Sequence, residues 1–153
     1  MASSPDPSRL AIELLVVSAR FTRLAARETP TAIPRALWRA LAQLEELGPM
    51  RVSDLAAVDR VSQPTATNLV QKLVLHGWAE RTADPSDARA VRVTITDEGR
   101  AALTATRDAA AAALVPRLHR LDAVALRTLQ SGVEALRQVL EADEPTRSTE
   151  DHA

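Results

Sequence analysis

Side chains suited to reading a polymer by hydrogen bonding crowd into one short run. Ser62, Gln63, Pro64, Thr65, Thr67 and Asn68 follow one another almost without interruption. The amides of Gln63 and Asn68 each set a donor beside an acceptor, the pattern that bonds bidentately to adenine in a major groove. The hydroxyls of Ser62, Thr65 and Thr67, with the free N–H groups of a helix start, suit phosphate oxygens. A second pair, Asp87 and Arg89, lies two residues apart in a polar stretch. On an extended chain both side chains then fall on one side. A guanidinium there can enter a narrow minor groove, where the potential is most negative. The carboxylate can hold it through a charge-assisted bond. Lys72, Arg81 and Arg92 flank these two groups and are candidates for phosphate contact.

Other chemistries lack their residues. The 153-residue chain has no cysteine, which removes disulfides, thiolate metal sites, cysteine nucleophiles and thiol switches. Its histidines, His76, His119 and His152, are far apart and show no metal-ligand spacing. No Gly-x-Ser-x-Gly occurs, and four glycines leave no room for a glycine-rich phosphate loop. We therefore expect no catalytic residues, no metal and no cofactor. Net charge is −1, but it is unevenly spread. Residues 60–92 hold five cations and three anions, whereas residues 101–153 hold six cations and eight anions.

The elements carrying these residues can be read from periodicity. Hydrophobic residues make up 46% of the chain and aromatics 2%, so the core must be aliphatic and helices are favoured. After a proline- and serine-containing lead-in (1–7), expected to be disordered, Ser8 is placed to cap a first helix. Leu10, Leu14, Val17, Phe21 and Leu24 give that helix one apolar stripe. Pro30 and Pro34 break it. A second helix turns Leu37, Leu41, Leu44 and Leu47 inward and stops at Gly48-Pro49. A short extended piece, Met50–Val52, precedes a third helix capped by Ser53, running from Asp54 to about Val58. Asp59, Arg60 and Val61 make a turn. Ser62 caps a fourth helix, with Leu69, Val70, Leu73 and Val74 buried and Gly77 at its end. The period then changes to two. Val91, Val93 and Ile95 alternate with polar residues, and Trp78–Thr82 can pair with them around a polar loop, 83–90. Thr96 caps a fifth helix running to about His119, with a possible kink site at Pro116. Asp122 starts a sixth, with Leu126, Leu129, Val133, Leu136 and Leu140 forming a seam suited to another helix. The tail, 144–153, is polar and expected to be disordered.

This order describes a mostly α fold with a small β-hairpin (α+β). A winged helix-turn-helix lobe (49–99) is flanked by N-terminal helices (8–48) and C-terminal dimerisation helices (100–143). The motifs fit. SQPTATNLVQKL at 62–73, GWAER at 77–81, DPSDARA at 84–90 and VTITDEG at 93–99 together resemble the MarR family of bacterial transcription regulators. The match covers the DNA-binding lobe at motif level and the flanking helices only as architecture. The resemblance implies a homodimer on a pseudo-palindromic operator, usually a repressor, often released by a small aromatic or phenolic molecule. It implies that Arg89 enters the minor groove and that Asp87 braces it. Two positions depart from the pattern. Asn68 stands where many relatives have arginine, so their operators do not transfer. Trp78-Ala79 replaces the usual Leu-Val, so Trp78 should fill core space.

Several expectations follow. The partners are double-stranded DNA, a second copy of the chain and a small aromatic effector. Phe21, Trp38 and His119 are weak candidates for effector contact, since ordinary packing explains them as well. No apolar run approaches the ~20 residues of a membrane span, and the N-terminus has neither a basic nor an apolar leader region. A cytoplasmic location is expected. The alternative function is a winged-helix module for protein contact without DNA binding, which would call for an apolar or acidic fourth-helix surface.

Overall fold

The computed structural model describes residues 5–29 and 33–141, with only the backbone of residues 88 and 89. Six helices and three strands follow in the order α1 (Pro7–Glu28), α2 (Arg35–Leu47), β1 (Met50–Arg51), α3 (Val52–Asp59), α4 (Gln63–Leu75), β2 (Ala79–Asp84), β3 (Asp87–Ile95), α5 (Asp97–Leu118) and α6 (Ala123–Glu141). Internal contacts divide the chain into two units, one ending at Ala113 and one beginning at Leu114. The fold class is the expected one, a winged helix-turn-helix.

In the first unit an aliphatic core forms where α2, α3, α4, the sheet and the start of α5 meet. Leu37, Ala40, Leu41 and Leu44 of α2 meet Leu55, Leu69, Val70, Leu73, Val93, Ile95 and Leu103. Two expected core positions are corrected. Leu47 and Val74, at the last turns of α2 and α4, are exposed. The helix ends run past the core, so the stripe continues in sequence after its partner surface has stopped. Val91 is also exposed, whereas Val93 and Ile95 further along the same strand are buried.

The helix starts also differ in detail. Asp6, not Ser8, caps α1, its carboxylate accepting from Ser8 N–H at 3.1 Å, and Pro7 already belongs to the helix. The expected lead-in is otherwise outside the described residues, as is the tail from 144. Ser53 does not cap α3. The helix starts two residues earlier, at Val52, and Asp54 in its first turn accepts from the backbone N–H of Arg51 at 3.2 Å. Ser62 caps α4 as expected, accepting from Thr65 N–H at 3.3 Å.

The extended piece at Met50 is a paired strand. It adds to β3, giving a three-stranded antiparallel sheet of order β1-β3-β2, with Met50 opposite Val93 and Arg51 opposite Arg92. The hairpin is longer than expected and its loop shorter. Pairing runs out to Asp84 opposite Asp87, leaving only Pro85 and Ser86 in the turn. The polar stretch 83–90 is therefore mostly strand. The register slips between Ala83, which faces Val91, and Asp84, which faces Asp87. Residues 88–90 thus form a bulge in β3, and Arg89 is its middle residue.

One junction explains the motif TDEG at 96–99. The Thr96 hydroxyl donates to the carbonyl of Gly77 at 2.6 Å and accepts from Gly99 N–H at 3.1 Å. It caps α5 and ties it to the end of α4 at once. A Cβ on Gly99 would lie 2.1 Å from the carbonyl oxygen of Trp78, so only glycine fits. Trp78 itself packs against the core as expected and stacks on His76, with ring centroids 4.3 Å apart.

Candidate nucleic-acid interface

Helix α4 separates its two faces cleanly. Ala66, Leu69, Val70 and Leu73 are buried, while Ser62, Gln63, Pro64, Thr65, Asn68 and Lys72 are exposed and Thr67 is half-buried. Three of the hydroxyls are held locally. Ser62 and Thr65 share a 2.8 Å hydrogen bond, and Thr67 donates to the carbonyl of Gln63 at 2.9 Å. The amides of Gln63 and Asn68 stand on the exposed face. Gln71, three residues after Asn68, is exposed on that face as well, and helical spacing alone could have picked it out. So could Arg60. It is exposed in the turn before α4 in a left-handed conformation, φ 52°.

The turn is anchored by a carboxylate that sequence reasoning missed. Asp59 ends α3 with its side chain buried. Arg39 of α2 forms a two-pronged ion pair with it, Nη2 donating at 2.9 Å, and Gln43 Nε2 donates at 3.1 Å. The Arg39–Asp59 hydrogen bond raises the Arg39 pKa. The pair locks α3 onto α2, and the turn from α3 into α4 leaves from this anchor.

The hairpin has its own anchor. The Asp84 side chain is fully buried. Its Oδ1 accepts from Ser86 Oγ at 2.6 Å and from Ser86 N–H at 3.0 Å. Its Oδ2 accepts from Arg51 Nε at 2.9 Å, and Arg92 Nε lies 3.3 Å away in ion-pair contact but off hydrogen-bond alignment. The Ser86 bonds, helped by Arg51 and Arg92, hold the carboxyl well below the usual carboxylate range against the opposing effect of burial.

The remaining expected site residues are therefore placed unequally. Arg92 belongs to the Asp84 cluster and is half-exposed. Arg81 is exposed on β2 and Lys72 late in α4. Asp87 opens β3, with Arg51 Nη2 at 3.7 Å from its Oδ2. The side chain of Arg89 lies outside the described ones, so only its position in the bulge is on view. Of the effector candidates, Phe21 lines an open groove of about 730 Å³ on α1, together with Arg20, Arg23, Arg27 and Arg35. Trp38 is absent from that lining and packs against the core. His119 is exposed in the second unit. Among the described residues no group of acidic or histidine side chains is placed to hold a metal, and no helix is long and apolar enough to cross a membrane.

Known proteins share this arrangement. Residues 33–91, from the start of α2 through most of the hairpin, match the model of the MarR family. An HTH-type transcriptional regulator of Mycobacterium tuberculosis is 28% identical over 130 residues, covering 84% of this chain and 91% of that protein. An uncharacterized HTH-type transcriptional regulator of Mycobacterium leprae is 27% identical over 135 residues, covering 88% and 94%. The crystal structure of apo wild-type MarR from E. coli superposes with a TM-score of 0.63 at 23% identity, covering 88% of this chain and 98% of that one. The polar outer face of α4, the bulged hairpin beside it and these likenesses agree: residues 33–91 match the MarR family of regulators, and the chain shares that family's winged helix-turn-helix fold.

Proposed function

We propose that the protein is a homodimeric repressor that binds a pseudo-palindromic operator and leaves it when a small aromatic anion binds. The exposed face of α4 carries this reading. Gln63, Asn68 and Gln71 offer amides on a helix whose opposite face is buried. A helix so mounted fits a major groove, and amides there favour adenine. The β3 bulge with Arg89 reaches the adjacent minor groove, and Lys72 and Arg81 meet phosphate.

Dimerisation is supported by apolar side chains left in water. Helix α1 has no buried residue and exposes Ile12, Leu15, Val16, Val17 and Phe21. Helix α6 likewise exposes Val124, Leu129, Val133, Val139 and Leu140. Apolar surface on that scale marks an interface. The effector's charge is suggested by the groove at Phe21, where an aromatic ring stands among four arginines.

Selection of bound duplexes from a random-sequence library tests the operator. We expect an inverted repeat with half-site centres about 10 bp apart, one helical turn. Enrichment of a single asymmetric site, or of none, would overturn the palindrome and with it the dimeric mode of binding.

A further inference from the structure

We propose that Asp84 is a positioning residue for DNA binding: its buried carboxylate ties the turn of the hairpin to the first helix of the helix-turn-helix. This rests on the reading that the hairpin contacts DNA.

A carboxylate is seldom fully buried without partners, and burial is least expected at the tip of an exposed hairpin. Asp84 is buried there, and its two oxygens have separate tasks. Oδ1 accepts both bonds from Ser86 and closes the two-residue turn. Oδ2 reaches across the sheet to Arg51. Strand β3 lies between β2 and β1, so the Arg51 side chain spans the sheet to meet Asp84, and Arg92 of β3 joins from the middle strand. Arg51 is itself fixed. It immediately precedes α3, and its N–H donates to Asp54 in the first turn of that helix. A continuous path therefore runs from the hairpin turn through Asp84 and Arg51 into α3.

None of these residues belongs to the aliphatic core. A buried ion pair roughly breaks even against apolar packing in stability, so its value here is geometric. The hairpin would otherwise hang from β3 pairing alone beyond Ala83, where the register slips. The clasp sets the angle at which the bulge, and Arg89 within it, is presented relative to α4.

The test is a double-mutant cycle with the full chain. The probe is a duplex recovered with wild-type protein from the random-sequence library. Arg89→Ala and Asp84→Asn should each weaken binding by about tenfold. In the Arg89→Ala background, Asp84→Asn should cost no more than about twofold, because the group it positions is gone. Loss of folded protein would instead weaken both backgrounds alike, so the coupling separates positioning from mere support. Arg51→Ala, which leaves Asp84 on Ser86 and Arg92, carries the same cycle should Asp84→Asn unfold. Wild-type affinity for Asp84→Asn, or costs that simply add, overturns the proposal while leaving the hairpin's DNA contact intact. Wild-type affinity for Arg89→Ala overturns the contact itself, and the positioning role with it.

Discussion

Asp59 and Asp84 are the two buried carboxylates among the described residues, and each is met by a guanidinium from a distant part of the chain. Arg39→Ala would leave Asp59 buried with only Gln43 as partner. We expect a loss of roughly 1–3 kcal/mol, tempered because Arg39 is half-exposed. The measurement is a shift of the urea midpoint at unchanged slope. Asp84 predicts a pH effect. Its folded pKa is depressed, so its contribution is fully present above the ordinary carboxylate pKa of about 4. It is lost as pH falls toward the depressed value. Thermal melts from pH 5 downward should therefore fall more steeply for wild type than for Asp84→Asn. Parallel curves would remove Asp84 from the acid response. For Arg89→Ala, beyond lost affinity, the slope of log affinity against log salt should drop by about one. The melting temperature should hardly move if Arg89 acts on DNA rather than within the fold, since a surface charge contributes only ~0–1 kcal/mol.

The junction between β3 and α5 shows how a short motif can encode a close approach. Thr96 holds Gly77 and caps α5, and Gly99 makes room for the Trp78 carbonyl. Gly99→Ala must move backbone, because the obstructing atom is a main-chain oxygen. Overpacking of this kind costs about 1–3 kcal/mol, read as a lower thermal midpoint. Thr96→Ala loses the cap and should cost roughly 0.5–2 kcal/mol. The motif's spacing was legible in sequence, but the contact behind it was not. The same holds for the hairpin. Its Pro-Ser turn lies inside the stretch read as a loop, yet the bulge at 88–90 follows from pairing register, which involves both strands.

Taken whole, the chain keeps much of its apolar surface outside its own core. Helical spacing makes the stripe Leu126 to Leu140 a seam for another helix, and Leu126, Leu129, Val133, Leu136 and Leu140 are all exposed. Val133→Glu should thus leave the fold intact and disrupt a dimer. Sedimentation at micromolar concentration should show about twice the monomer mass for wild type and the monomer mass for the variant. A wild-type monomer would remove the two-fold basis of operator binding. A dimer unaffected by Val133→Glu would move the interface away from α6.

Local signals determined a great deal by themselves. Periodicity placed α1, α2, α4, α6 and the hairpin, capping signals placed α3 and α5, Ser62 marked the start of α4, and the polar run to Asn68 falls on its exposed face. Each depends on neighbours within a turn or a strand, which is the range over which side-chain spacing carries information. The anchors lay beyond that range. Asp59 finds Arg39 at a separation of 20 residues, and Asp84 finds Arg51 at 33. As isolated charges in sequence these four look like ordinary solvated surface. Only the folded chain brings them together, because packing α3 on α2 and laying β1 beside β3 excludes water from the carboxylates and leaves a guanidinium as their partner.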